Sequence, residues 1–206
     1  MLNPGTCGDC AERRRAERDR RELVAGWRYQ LPRRHRDCDL EGPPLVGRVR
    51  DVTGIARVLA ACTPTTDRIT LVGPAGVGKT SLAAAAYVRL LVLRGRGDGA
   101  YVHARELALA RQQHALGSEA PIVERALEAD VAIIDDLGVE GAEVRNSAVG
   151  DVIYARYGRA EPTIYTTTMP AAQIAVVYGD GLARRVYEAV TNSYVIELRA
   201  PGKGTP

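Results

Sequence analysis

The chain has 206 residues, 46% of them hydrophobic and 26% charged, which is room for one moderate α/β domain plus a small appendage and too little for two full-sized domains. Its formal net charge is +3, no apolar run approaches the roughly 20 residues needed to cross a bilayer, and the opening stretch MLNPGTCGDCAERRRAERDR lacks an apolar secretory core. Four cysteines are too few for a disulfide scaffold in so long a chain, so the sequence reads as that of a protein from a reducing, cytoplasmic compartment.

In chain order, residues 9 to 27 read as a polar helix with an apolar end at Leu23, Val24 and Trp27. Residues 1 to 39 hold ten Arg against seven Asp and Glu, so this stretch carries the whole positive excess. Such a segment suits a phosphate backbone or an acidic protein surface, but Glu12, Glu17, Asp19 and Glu22 interleave with the arginines as on a solvated helix face. Pro32, Gly42, Pro43 and Pro44 break regular structure, which suggests an amino-terminal module over 1 to 40 and a linker over 41 to 47.

Beyond the linker, helices and strands alternate. The pattern predicts a helix at about 48 to 61, a strand at 68 to 72, a helix at 79 to 93 and a strand at 100 to 103. Short helices near 104 to 113 and 120 to 128 precede the apolar run Val131 to Ile134, too short for an independent helix and read as a buried strand. A helix at 143 to 157, a strand at 163 to 167, helices near 171 to 177 and 181 to 189 and a strand at 193 to 198 complete a domain of 48 to 199, with a tail at 200 to 206. Strands separated by helices imply a mostly parallel sheet covered on both faces, with ligands at the carboxyl ends of the strands.

Residues 73 to 80, GPAGVGKT, match GxxxxGK[ST] and lie between a predicted strand and a predicted helix. Gly73, Gly76 and Gly78 allow the tight backbone that lets successive N–H groups, from Ala75 and Val77 onward, curl around a phosphate at a helix amino terminus, with Pro74 in the same loop but without an N–H to give. Lys79 would reach the β- and γ-oxygens, Thr80 would ligate Mg²⁺, and Ser81 would cap the helix or meet the α-phosphate. Only Lys79 and Lys203 are lysine among 28 basic residues, so lysine stands at 79 against the chain's preference for arginine. The second anchor of a magnesium site follows the strand at 131 to 134: Asp135 as the metal-holding Walker B carboxylate and Asp136 as the carboxylate that polarises an attacking water. The competing reading is a pair of turn aspartates capping a helix.

VAIIDDLG at 131 to 138, RYGRAEPTIYTTTMP at 156 to 170 and LPRRHRDCDLEG at 31 to 42 together resemble the DnaC/IstB-like AAA+ ATPases, the bacterial and phage helicase loaders and transposition helpers. The resemblance covers about residues 30 to 198 and implies a P-loop AAA+ core, a parallel sheet sandwiched by helices, without a carboxyl-terminal lid. It makes Thr168 the sensor 1 position, where the family usually has Asn; Thr166 to Thr168 also simply suit a strand. It aligns Arg185, with Arg184 as fallback, with an arginine finger acting in trans, which requires an oligomer; the plainer alternative is a surface arginine paired with Glu.

The resemblance further implies ATP and Mg²⁺ as cofactors, ATP hydrolysis, and loading of a hexameric replicative helicase onto single-stranded DNA, with Arg105, Arg111 and Arg156 as candidate phosphate contacts. A transposase helper on duplex DNA, a P-loop small-molecule kinase and an interaction module with an inactive ATPase are the alternatives. Cys7 and Cys10 form CxxC, and His35 and Cys38 form HxxC. Three thiolates and an imidazole suit tetrahedral zinc, and resembling loaders have zinc-binding amino termini, while packed free thiols and redox chemistry are the other readings. Cys62 ends an apolar helix and reads as core.

Overall fold

A computed structural model describes residues 8–95, 97–114, 118–140 and 148–200. Five strands, β1 (Arg68–Val72), β2 (Gly99–His103), β3 (Val131–Leu137), β4 (Thr163–Thr167) and β5 (Ser193–Glu197), form one parallel sheet in the order β2-β3-β4-β1-β5. With α1 (Gly8–Tyr29), α2 (Pro43–Val46), α3 (Val52–Ala61) and α4 (Lys79–Arg94) they follow the predicted alternation closely. The remaining helices are α5 (Ala104–Gln113), α6 (Pro121–Glu128), α7 (Ala148–Gly158), α8 (Ala171–Tyr178) and α9 (Asp180–Tyr187). This is the P-loop AAA+ architecture expected from the sequence.

The pleat sorts each strand between two cores. Ile69 and Leu71 of β1, Val131 and Ile133 of β3 and Ile164 of β4 pack with Leu82, Ala86 and Leu90 of α4 on one face. Val102, Ile134 and Tyr165 pack with Leu107 of α5, Val152 and Ile153 of α7 and Val186 of α9 on the other. From Leu82 to Val88 helix α4 is apolar all round, as a helix buried between a sheet and an outer layer must be.

Several boundaries differ from the sequence reading for local reasons. The helix expected from 48 starts at Val52 because Asp51 caps it, its carboxylate accepting from the Gly54 amide at 3.0 Å. The segment read as a linker contributes Leu45, fully buried, and Leu31, Cys38, Leu40 and Val49 join the same core as the sheet, so the amino-terminal segment is fastened to the domain from Trp27 onward. Trp27 donates its indole N–H to the Gly97 carbonyl at 2.9 Å. Residues 10 to 23 of α1 are all exposed and project from that anchor. The helix expected from 143 is described from Ala148; its first residues lie outside the described set.

One correction concerns Arg156, expected as a phosphate contact. It is fully buried, and its guanidinium donates to the carbonyls of Ala126, Ala129 and Pro162 and to Thr163 Oγ1 at 2.7 to 2.9 Å, with Glu161 at 3.2 Å. Burial lowers its pKa, opposed by the Glu161 charge. It ties α6, α7 and the start of β4 together and is out of reach of any nucleic acid. Arg156→Leu, which orphans these acceptors, should cost at least about 3 kcal/mol in urea denaturation. A loss below about 1 kcal/mol would contradict the structural role.

Candidate functional site

Strand β1 ends at Val72 and α4 begins at Lys79, so Gly73 to Gly78 is the whole connection. Gly78 has a left-handed φ of 101°, and a Cβ there would stand 2.6 Å from the Arg48 carbonyl oxygen and 2.8 Å from Val49 Cα. Only glycine tolerates both constraints. Val77 points the other way, 1% exposed in the core, and pins the loop from beneath while its carbonyl accepts from the Arg50 amide at 3.2 Å. The Gly73 amide donates to Thr167 O at 3.3 Å, which seats the loop on the end of β4. The loop and the first turn of the 16-residue α4 open on a cleft of about 540 Å³ lined by Ala75, Gly76, Gly78, Lys79, Thr80 and Ser81. That size suits a small ligand, and a helix amino terminus favours an anion.

Lys79 is 6% exposed, with Nζ donating to the Gly73 and Pro74 carbonyls at 2.9 Å each. Burial lowers its pKa, while the charges of Asp136 and Asp135 oppose the shift. An ammonium folded onto two neutral carbonyls in so dry a place is incompletely compensated, which suits it to an anionic ligand.

Opposite the lysine, β3 carries the two carboxylates. Successive side chains of a regular strand point to opposite faces, yet Asp135 meets Thr80 while Asp136 lines the same cleft. The explanation is a bulge: the β3–β4 register slips between Ile134 and Leu137, and Asp136 takes a left-handed φ of 55°. Aspartate tolerates this conformation better than most side chains. The Asp136 amide donates to Thr166 Oγ1 at 2.9 Å, and His103 Nε2 lies 3.4 Å from Asp136 Oδ2.

Asp135 itself is 2% exposed. It accepts from Thr166 Oγ1 at 2.6 Å on one oxygen, from Tyr101 O–H at 2.6 Å on the other, and from Thr80 Oγ1 at 3.1 Å. The Thr80 hydroxyl and the Asp135 carboxylate are hard oxygen donors in contact beside an anion-binding loop. They fit a magnesium ion accompanying a nucleotide, which keeps much of its water shell and takes few protein ligands.

The other wall comes from the amino-terminal segment. A 3₁₀ turn (Arg33–His35) brings Arg34 and His35 to the cleft, and Arg48 completes it. Arg48 donates to the Arg34 carbonyl at 2.8 Å and to Asp37 at 2.5 Å. His35 is buried with Nδ1 3.1 Å from Ser81 Oγ. Burial lowers its pKa, with Arg34 adding to the shift and Asp135 opposing it. Ser81 is thus engaged by His35, and Thr168, exposed just beyond β4, lines the cleft as expected of a strand-tip residue.

Among the described residues the proposed zinc ligands do not come together. His35 is taken by Ser81, and Cys38 is buried against Arg48, whose guanidinium reaches its sulfur at 3.3 Å. Cys10 is exposed on α1, about 27 Å along the helix axis from Arg28, the residue that anchors the helix end to Asp39 and the Arg36 carbonyl. Cys7 lies outside the described residues, and among those described no group of three potential ligands comes together. Along α1, Cys10 is carried away from His35 and Cys38. Cys62 is buried as expected, with burial pushing its thiol up to about 12.

Neither arginine of α9 lines the cleft of its own chain. Arg185 lies 4.3 Å from the Tyr154 ring centroid and 5.2 Å from that of Tyr157, with Nη1 donating to the Gly181 carbonyl at 2.8 Å. Arg184 is exposed and reaches Glu188 at 4.0 Å. Arg111 is engaged by Glu119 and Asp151, and Arg105 is exposed. Arg34, Arg48, Tyr101, His103 and Thr166 escaped the sequence reading. Only His103 left a usable signal, since it ends the strand that pairs with β3 and sits opposite Asp135.

The family described as IstB-like ATP binding protein matches residues 12–191. Among curated proteins, no sequence relative matches. Among solved structures, the DnaC helicase loader is 21% identical with a TM-score of 0.64, covering 81% of this chain and 99% of that one. DnaI is 23% identical with a TM-score of 0.54, covering 71% and 84%. The replication initiator DnaA bound to AMPPCP and single-stranded DNA is 20% identical with a TM-score of 0.62, covering 82% of this chain and 50% of that chain. At these identities the likeness is one of fold.

Because the folded protein resists protonating His35, the unfolded chain binds more protons below pH 6.5, and stability is lost as the pH falls through that value. His35→Asn keeps a group that can bond Ser81 but does not titrate. Urea melts at about pH 7.5 and 5.5 should therefore show a smaller difference for this variant than for the native chain. Equal differences would contradict the assigned burial of the imidazole.

Proposed function

We infer the function from one premise, that the chain belongs to the IstB-like ATP binding protein family, and from one geometric fact, that a bulge presents two consecutive carboxylates to a lysine-bearing anion loop. The bound nucleotide is ATP, and the proposed reaction is its hydrolysis. In the reading offered here, loop amides and Lys79 bind the β- and γ-phosphate oxygens, Lys79 leaving the carbonyls of Gly73 and Pro74 to do so. Thr80 and Asp135 would hold magnesium, which supplies positive charge to the phosphate oxygens when bound. Asp136 accepts the proton of the attacking water, His103 restrains its carboxylate, and Thr168 offers a hydroxyl to the water or the γ-phosphate. The short threonine reaches less far than asparagine would, which favours slow turnover, as suits a switch.

Assembly completes the site in this proposal. Arg185 is bracketed by Tyr154 and Tyr157 on a surface apart from its own cleft, a presentation suited to the γ-phosphate of a neighbouring copy. The nucleotide-driven task we propose is placing a hexameric replicative helicase on single-stranded DNA. The observation supporting a loader is that α1 is exposed throughout residues 10 to 23, which offers a surface to a partner protein. The family match keeps a transposase helper acting on duplex DNA as the second reading. Mixing the chain with the replicative helicase of its own genome and circular single-stranded DNA should give ATP-dependent loading. Stimulation of a transposase on duplex DNA without loading would favour the second reading.

Two substitutions test the chemistry. ATP with magnesium at about 100 times Kd should stabilise the native protein by about 2.7 kcal/mol and leave Lys79→Ala unmoved; an equal shift in both would remove Lys79 from the site. Arg185→Ala should keep nucleotide binding in the monomer while turnover of the assembled protein falls on the order of 10³-fold. Loss of monomer binding to the same extent would contradict action across subunits.

A further inference from the structure

We propose that Tyr101 and Thr166 are positioning residues that lock the Asp135 carboxylate, and that their two hydroxyls set the divalent-cation affinity of the nucleotide site. The proposal rests on the ATP-binding reading and goes beyond it in assigning a task to residues outside both phosphate-site motifs.

The three residues lie on three adjacent strands, with Tyr101 diagonal to Asp135. Tyr101 is on β2, Asp135 on β3 and Thr166 on β4, and all three project to the face covered by α4. Asp135 is nearly free of solvent, so its orientation is decided by protein donors alone. One of its oxygens accepts from Thr166 at 2.6 Å and the other from Tyr101 at 2.6 Å, and both bonds are shorter than the 3.1 Å contact with Thr80. Two short bonds to different oxygens fix the plane of the carboxylate. The Thr80 contact, made from the first turn of α4, is the longest of the three and the one free to be rearranged when a cation enters.

Thr166 is set for this by its own surroundings. Its oxygen accepts from the Asp136 amide, so its single proton is directed to Asp135. One hydroxyl therefore fixes the metal-side carboxylate and the backbone that carries the next one. Tyr101 is the donor in its bond, since the carboxylate of Asp135 offers only acceptors. Groups that orient a metal-binding carboxylate in this way typically change metal affinity about 10- to 100-fold when removed.

Tyr101→Phe removes only the hydroxyl, Thr166→Val is close to isosteric without it, and Thr166→Ser restores it. The readout is the magnesium concentration at half-saturation for the full chain with bound fluorescent ADP, alongside affinity for the same nucleotide in EDTA. Tyr101→Phe and Thr166→Val should raise the magnesium midpoint about 10-fold or more. Thr166→Ser should stay near the native midpoint, and nucleotide affinity in EDTA should not change. An unchanged midpoint, or a loss of nucleotide affinity equal with and without magnesium, would overturn the assignment, the latter marking a merely structural role. Should Thr166→Val not fold, Tyr101→Phe decides alone. Failure of the native chain itself to bind ADP would instead overturn the ATP-binding reading on which the proposal stands.

Discussion

A strand cannot aim two successive side chains at one ligand without breaking its pleat, and β3 breaks it at Asp136. The left-handed backbone there costs on the order of 1–3 kcal/mol, so something must hold it. Thr166 does so with one hydroxyl, bonding the Asp136 amide and the Asp135 carboxylate together. From that clamp the geometry spreads outward. Asp135 is fixed against Thr80 and hence against the first turn of α4, and Asp136 is left facing the cleft beside His103.

Burial sets the electrostatics of the same region. Lys79 and Asp135 are both nearly dry, one held by neutral carbonyls and the other by hydroxyls, so the protein keeps opposite charges close without joining them in a direct ion pair. A pair closed on itself would have to be broken to admit a ligand. The carbonyls that hold Lys79 and the Thr80 hydroxyl on Asp135 are neutral partners that a ligand could replace, while Tyr101 and Thr166 keep the carboxylate in place. The third wall, from Arg34, His35 and Arg48, links the cleft to the anchor of α1, because Arg48 also binds Asp37 and Arg28 binds the Arg36 carbonyl.

The elements that were legible in the sequence were those with a local signature. The glycine-rich loop announces itself by spacing, and Lys79 by being a lysine in an arginine-rich chain. Asp135 and Asp136 stand out at the end of an apolar run. What was illegible depended on contacts distant in sequence. His35 meets Ser81 across 46 positions and Tyr101 meets Asp135 across 34, and a tyrosine in a strand reads as packing. Among three successive threonines, the pleat turns Thr166 toward Asp135 and leaves Thr168 at the strand tip, a distinction that composition does not make. Arg156 misled because charge suggests a surface, whereas five neighbouring acceptors hold it in the interior. The cysteine spacing misled because the intervening helix is long and carries Cys10 away from His35 and Cys38.

The central claim is that the cleft between the glycine loop and the β3 bulge takes a magnesium nucleotide. Calorimetric titration of the purified chain with ATP tests it most directly, run once with magnesium and once with EDTA. The expected result is a saturable heat at one nucleotide per chain that tightens when magnesium is present. No heat of binding at millimolar ATP, or binding indifferent to magnesium, would contradict it.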